Sequence, residues 1–257
     1  MKRIALFFGM ALTTVACVDS IIDDGYEPET RNVVLQHYFY YGDGLMNANK
    51  THVMGNAEVQ FTDCALAVGD YWFEDQWTDT IHLGGEPVDF DPGVASIQSP
   101  SVPVYLTYAE KGLYTGKHKW KLGLDSAQQA VKPSGYGEEH QMAHEGMFKG
   151  DGEGYHGLVI RGKYRELTDT IDTIPTTDFY WAVPAENFSD IFQKQGSFNI
   201  GFEGNVKLNV TIRMDSVLVG FDPLLLDEII GNTGDPIDDM ASDYLRDQFI
   251  NYYQIQL

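Results

Sequence analysis

The stretch Val206-Lys-Leu-Asn-Val-Thr-Ile-Arg-Met214 decides the fold class. Val206, Leu208, Val210, Ile212 and Met214 alternate with Lys207, Asn209, Thr211 and Arg213. A period of two belongs to a strand with one face buried and the other wet. The same pattern extends outward along the chain. Val33, Leu35, His37, Phe39 and Tyr41 share one strand face, and residues 57–68 and 102–108 are apolar runs of strand length. In residues 117–122 three lysines oppose His118, Trp120 and Leu122. Further runs cover 155–161, 177–183 and 197–203. Gly, Pro and Asp separate these segments, so the chain is predicted to be all-β, an antiparallel β-sandwich. Helices are few and late. Asp222-Pro223 is an N-cap followed by a first-turn proline for 224–230, with Gly231 as the stop. Asp235-Pro236 repeats the device for a longer C-terminal helix. Its Ile237, Met240, Ala241, Tyr244, Leu245 and Phe249 recur at three- and four-residue steps, a stripe expected to lie on the sandwich. Residues 187–195 are expected to add one short helix.

Composition narrows the function. The 257 residues hold 17 Lys+Arg against 38 Asp+Glu, a formal charge of −21, with 43% hydrophobic residues. Such a field repels phosphate backbones, so nucleic-acid binding is excluded as a leading reading. Gly 26, Tyr 15 and Phe 14 suit turns and pleated surfaces better than a helical bundle.

The first residues carry an export signal. Lys2 and Arg3 precede an apolar run, 4–12, too short to span a bilayer, and Thr13-Thr14-Val15-Ala16-Cys17 is a small-residue cleavage site ending in cysteine. The segment resembles a bacterial lipoprotein signal. Residues 1–16 are then the signal peptide, Cys17 the lipidated first residue, 17–30 an acidic tether, and 31–257 a single domain. The acids soon after Cys17 resemble those of surface lipoproteins in the Bacteroidetes. The expected location is the outer membrane, on its periplasmic or its outer face. With Cys17 acylated, Cys64 has no disulfide partner and is expected to be a buried small hydrophobe.

The densest polar cluster is Gly135-Tyr-Gly-Glu-Glu-His140-Gln-Met142-Ala-His144-Glu-Gly-Met147, followed by Gly150-Asp-Gly-Glu-Gly-Tyr-His156. Imidazoles, thioethers and carboxylates this close are a supply of copper or zinc ligands. They are equally the content of a solvated acidic loop. The zincin pattern fails, because Gln141 follows His140 and Phe148 stands where a second His would follow His144. Nucleophile-elbow, phosphate-loop and dinucleotide-binding motifs are also missing from the sequence, and the chain is read as a non-enzyme. His37 lies on an apolar strand face, as a core histidine would, or as a third ligand. Asn232, Asp235, Asp238 and Asp239 supply oxygens for calcium, though helix capping also accounts for two of them. Tyr71, Trp72, Phe73 and Trp77 fit a core, or a platform for sugar rings.

The order of features resembles the MbnP-like family of copper-associated periplasmic or lipid-anchored proteins. The resemblance rests on Val33 to Gly44 and Asn56 to Asp70 as opening strands, Lys111-Gly112-Leu113-Tyr114 leading to Leu122-Gly123-Leu124-Asp125, then Pro133, His140 or His144, Gly146-Met147, Gly154-Tyr155 and Val159-Ile160-Arg161-Gly162. It implies a β-sandwich and copper handling or delivery. The ligands it points to are His140 and His144, with His37 or His156 third and Met142 or Met147 as soft donors; zinc or calcium would be less suited. It also implies a redox partner of the dihaem peroxidase type. Two departures stand out: Lys149-Gly150-Asp151 occupies the place of the family's tryptophans, and Phe198-Asn199-Ile200-Gly201 that of its later His-Leu-Gly. The competing reading is a non-metal envelope module that binds glycans or protein partners, with Trp72 and Trp77 as contacts.

Overall fold

The computed structural model describes residues 30–48, 50–75, 92–99, 105–110, 112–137, 140–168, 174–188, 191–200 and 206–256. The chain divides into two units, Met1–Thr30 and Arg31–Leu257, and the second carries the fold. The predicted signal peptide, Cys17 and nearly all of the tether lie outside the described residues, as does Trp77.

In chain order the strands are β1 (Thr30–Tyr41), β2 (Gly44–Leu45), β3 (Thr51–Met54), β4 (Ala57–Asp75), β5 (Gly93–Ser96), β6 (Tyr105–Glu110) and β7 (Gly112–Leu122). Then come helices α1 (Ser126–Ala130) and α2 (Pro133–Tyr136), a 3-10 turn at Gln141–Ala143, and strands β8 (Phe148–Gly150), β9 (Gly154–Glu166), β10 (Thr177–Pro184), β11 (Ile191–Ile200) and β12 (Val206–Arg213). Helix α3 (Met214–Val217), strand β13 (Glu228–Ile230), helix α4 (Pro236–Tyr252) and strand β14 (Tyr253–Gln256) complete the chain. Two sheets result. One runs β14-β12-β1-β2 with β6 also on β1; the other runs β11-β7-β4-β9-β10-β13, with β3 and β5 on β4 and β8 on β9.

From Asn209 to Met214 the predicted alternation is the packing pattern. Val210, Ile212 and Met214 are buried and pack with Leu35 and Phe39 of β1. Phe61, Leu66, Leu158, Ile160, Phe179 and Trp181 of the larger sheet meet them, and Leu245 and Phe249 of α4 join the same core. Cys64 is buried there too, as expected, and burial, with Asp63 adding to it, pushes its thiol pKa well up. The sandwich is mixed rather than purely antiparallel, since β1 pairs with β12 in parallel, Val33 against Val206 through Tyr40 against Arg213, and β10 pairs in parallel with β13. Alternation reports which face is wet and says nothing about the direction of the neighbour, so this could not be read from periodicity.

Three helix expectations are corrected. Residues 224–230 make one turn, with Asp222 Oδ1 accepting from the Leu224 N–H at 3.0 Å, and then leave it. The Tyr180 N–H donates to the Asp227 carbonyl, and 228–230 continue as β13 along β10. Sheet pairing satisfies that backbone where a second helical turn would leave β10 with a bare edge. The described residues of 187–195 make no α-helix: Asn187 ends a 3-10 turn at Ala185–Asn187, and residues 191–195 belong to β11, which pairs with β7 from Ile191 against Lys121 to Ile200 against Gly112. The C-terminal helix is present, and Asp235 caps it by accepting from the Ile237 N–H at 2.8 Å, but its buried residues are Ser242, Leu245 and Phe249. Ile237, Met240 and Tyr244 of the predicted stripe face solvent.

A second, smaller core lies on the opposite face of the larger sheet. Ala65 and Ala67 of β4, Val159 of β9 and Ala182 of β10 alternate with the main-core residues Cys64, Leu66, Ile160 and Trp181, so they point the other way. Leu124, Met142 and Met147, from the described segments that follow β7, cover that face. The cover is anchored at its start by a capping box, in which Asp125 accepts from the Gln128 N–H and the Gln128 side chain accepts from the Asp125 N–H. Gly123 precedes it with φ +74°, and a Cβ there would lie 2.6 Å from both the Ala185 carbonyl oxygen and the Phe188 Cβ. Only glycine fits that corner.

Candidate functional site

His140 and His144 bracket the 3-10 turn as its N-cap and C-cap residues. The turn exists because the loop is held at both ends. Gln141 Oε1 accepts from the Val94 N–H at 3.0 Å, tying the turn to β5, and the Met142 side chain is fully buried in the second core. The Met147 N–H donates to the His144 carbonyl, and Gly146, at φ +85°, lets the chain reverse towards β8. Glycines shape this loop, whose two methionines are core residues while Gly137, Ala143 and Glu145 are exposed.

His144 has the most distinctive surroundings. Its Nε2 lies 2.7 Å from Oδ2 of Asp63, a carboxylate with 0% exposure in the middle of β4. Asp63 Oδ1 accepts from Ser96 Oγ at 2.9 Å, and Nη2 of Arg161, opposite Asp63 in the β4–β9 register, lies 3.4 Å from Oδ2. Arg161 also donates to the Glu145 carbonyl at 3.3 Å and lies 3.5 Å from the Glu145 carboxylate. An ionised carboxylate only accepts, so Nε2 of His144 is the protonated nitrogen and donates to it. In the tautomer that donates through Nε2, the lone pair sits on Nδ1. A histidine held through one nitrogen by a buried carboxylate has the arrangement used to orient an imidazole ligand on a metal.

The other predicted residues are placed differently. Nδ1 of His140 accepts from the Met142 N–H at 3.2 Å, which engages its lone pair, and its ring stacks on Tyr136 with centroids 5.0 Å apart. Met142 and Met147 are sealed at 0% exposure. His156 is buried on β9, its N–H donating to the Met147 carbonyl, and its Nδ1 has no protein partner. Burial first, then Lys149, pulls its pKa down to about 4, against the opposing influence of Glu186. His37 belongs to the main core. Its Nε2 shares a 2.7 Å hydrogen bond with the Tyr253 hydroxyl, and burial pulls its pKa down to about 3. It therefore stands apart from the 140–147 loop, on the smaller sheet. Trp72 is half-buried on β4 opposite Lys119, and Trp77 lies outside the described residues. Of the proposed calcium oxygens, Asp235 caps α4, Asp239 accepts from the Thr233 N–H, and Asn232 bonds Asn187 and Glu186. Among the described residues, no three His, Cys, Asp or Glu side chains converge into a ligand set.

The cluster thus joins one predicted residue, His144, to three the sequence reading missed: Asp63, Ser96 and Arg161. A signal for Asp63 was present. It is the one charged residue in the apolar-rich run 59–69.

No family model matches the sequence, and no curated protein matches it. Among solved structures the chain is similar to MbnP from Methylosinus trichosporium, at 11% identity, covering 84% of this chain and 88% of that one, with a TM-score of 0.45. No residue role is carried over from that protein to this chain.

Proposed function

We propose that this chain is a non-catalytic, lipid-anchored protein of the cell envelope that captures a copper ion for handling or delivery, with His144 as its principal protein ligand. The observation that supports this reading is the buried Asp63 carboxylate bonded to Nε2 of His144, which presents Nδ1 from a loop whose backbone is pinned at Val94 and in the second core. His140, at the other end of the same turn, is the candidate second donor, and it would have to release the Met142 N–H to serve. A ligand set this open suits an ion that is passed on, because few protein bonds must break on release. Met142 and Met147 are withdrawn from the proposed ligands, since a fully buried thioether cannot reach an ion without unpacking the core.

The test is metal content by inductively coupled plasma mass spectrometry on tag-free protein dialysed against limiting copper and zinc, beside His144→Ala and His140→Ala. Copper retained by the wild type and lost in His144→Ala supports the reading. Retention unchanged in His144→Ala removes His144 as the ligand. Absence of retained metal in the wild type favours the second reading, an envelope module that binds glycans or protein partners. The burial of both methionines favours that module, and its assay is glycan binding by Trp72→Ala and Trp77→Ala.

A further inference from the structure

The stripe predicted on α4 splits in two, and the half left outside has chemistry of its own. Leu245 and Phe249 turn into the main core, whereas Ile237, Met240 and Tyr244, at steps of three and four, form a second row along the solvent side. Ile237 is 66% exposed and Met240 73%. The row does not end with the helix. The Tyr244 ring stacks on Phe221 with centroids 5.5 Å apart, and its hydroxyl donates to the Val219 carbonyl at 3.4 Å, placing the exposed Val219 beside it. Large apolar side chains contiguous on a folded surface mark a contact face more often than isolated ones do.

Charge decides what fits there. Asp235, Asp238, Asp239, Asp243 and Asp247 lie on α4 and its cap against a single basic residue, Arg246, which is already paired with Asp243 and Asp247. By helical spacing Asp243 and Asp247 lie along one flank of the apolar row. A second copy of the chain would bring the same acids face to face across a two-fold axis, and the net charge of −21 opposes an anionic lipid surface. An apolar row edged with carboxylates is complementary to an amphipathic helix edged with Lys or Arg.

We propose that the outer face of α4, Ile237, Met240 and Tyr244 with Val219, is a docking surface for a basic amphipathic helix of a partner protein. The apolar row supplies the buried contact, and the flanking aspartates set orientation and speed of encounter. The surface is independent of the His144 loop.

The probe is a fluorescent synthetic helix with Leu along one face and Lys along its flanks, titrated with the purified chain and followed by anisotropy. The paired variant Ile237→Ser/Met240→Ser leaves every charge in place and alters only exposed positions, and far-UV circular dichroism reports whether it folds. Expected are saturable binding, a loss of about ten-fold or more in that variant, and amide-exchange protection confined to α4. Asp243→Asn/Asp247→Asn should weaken binding and flatten its salt dependence. Met240→Gln alone should give a smaller loss in the same direction. Equal affinity in the serine variant, or equal binding of a peptide with the same composition in scrambled order, overturns the proposal, because charge alone would then account for the contact. Concentration-dependent dimerisation abolished by the serine variant also overturns it, by making a second copy the occupant.

Discussion

Replacing Asp63 by Asn keeps the volume of a residue with 0% exposure and removes its charge. Three groups face that charge: Nε2 of His144 at 2.7 Å, Ser96 Oγ at 2.9 Å and Nη2 of Arg161 at 3.4 Å. Breaking a buried ion pair by removing one partner costs about 3–5 kcal/mol. The side chains of Arg161 and His144 keep 22% and 16% of their exposure, and Arg161 retains Glu145, so water and a second carboxylate absorb part of the loss. The low end applies, about 3 kcal/mol, which for a domain of this size lowers Tm by roughly 6–12 °C. The apportioning test is a double-mutant cycle with His144→Ala, read by urea unfolding. Because the His144–Asp63 bond involves a charged acceptor, the two losses should fall short of additive by about 1–2 kcal/mol. A Tm drop under about 3 °C, or strict additivity, would refute the claim that Asp63 holds His144 in place.

Two further outcomes follow from the geometry. Gly123→Ala should cost about 3 kcal/mol or more, since strain at φ +74° adds to a clash 2.6 Å from the Ala185 carbonyl, whereas Gly152→Ala, at φ +84° with open space around it, should cost only about 1 kcal/mol; equal losses by thermal melting would contradict the packing at Gly123. Acid should destabilise the fold through His37 and His156, whose pKa values fall from 6.5 to about 3 and about 4 on burial. Within those windows the unfolded chain binds protons that the folded chain refuses, so stability declines as pH drops below 6.5, by up to about 1.4 kcal/mol per pH unit for each histidine. Urea midpoints against pH should therefore show a shallower decline in His37→Gln than in wild type, and parallel curves would show that His37 is not held neutral.

Much of the fold was legible because local periodicity reports the environment of a single element. The 206–214 stretch, the β1 face and the Asp235-Pro236 helix start all depend on neighbours a few residues away. Residues 224–230 misled for the same reason. Their cap signal was real and made one turn, but the outcome was decided by the exposed edge of β10, which no local pattern encodes. The candidate site was legible in part. The sequence identified the 140–147 loop and His144, and treated Met142 and Met147 as available donors because nothing local says which residues of a glycine-rich loop face a sheet.

The sequence by itself determined a β-rich chain, the inward faces of β7 and β12, the capped C-terminal helix and the acidic composition. These follow from side-chain period and charge, properties of the chain read in order. Tertiary structure alone decided that Asp63 and His144, 81 positions apart, share a hydrogen bond, that both methionines are sealed, and that one half of the α4 stripe is buried while the other faces water. Those outcomes depend on which strands become neighbours and on which side of a sheet a segment lands, and sheet order is set by the sum of all pairings rather than by any one of them.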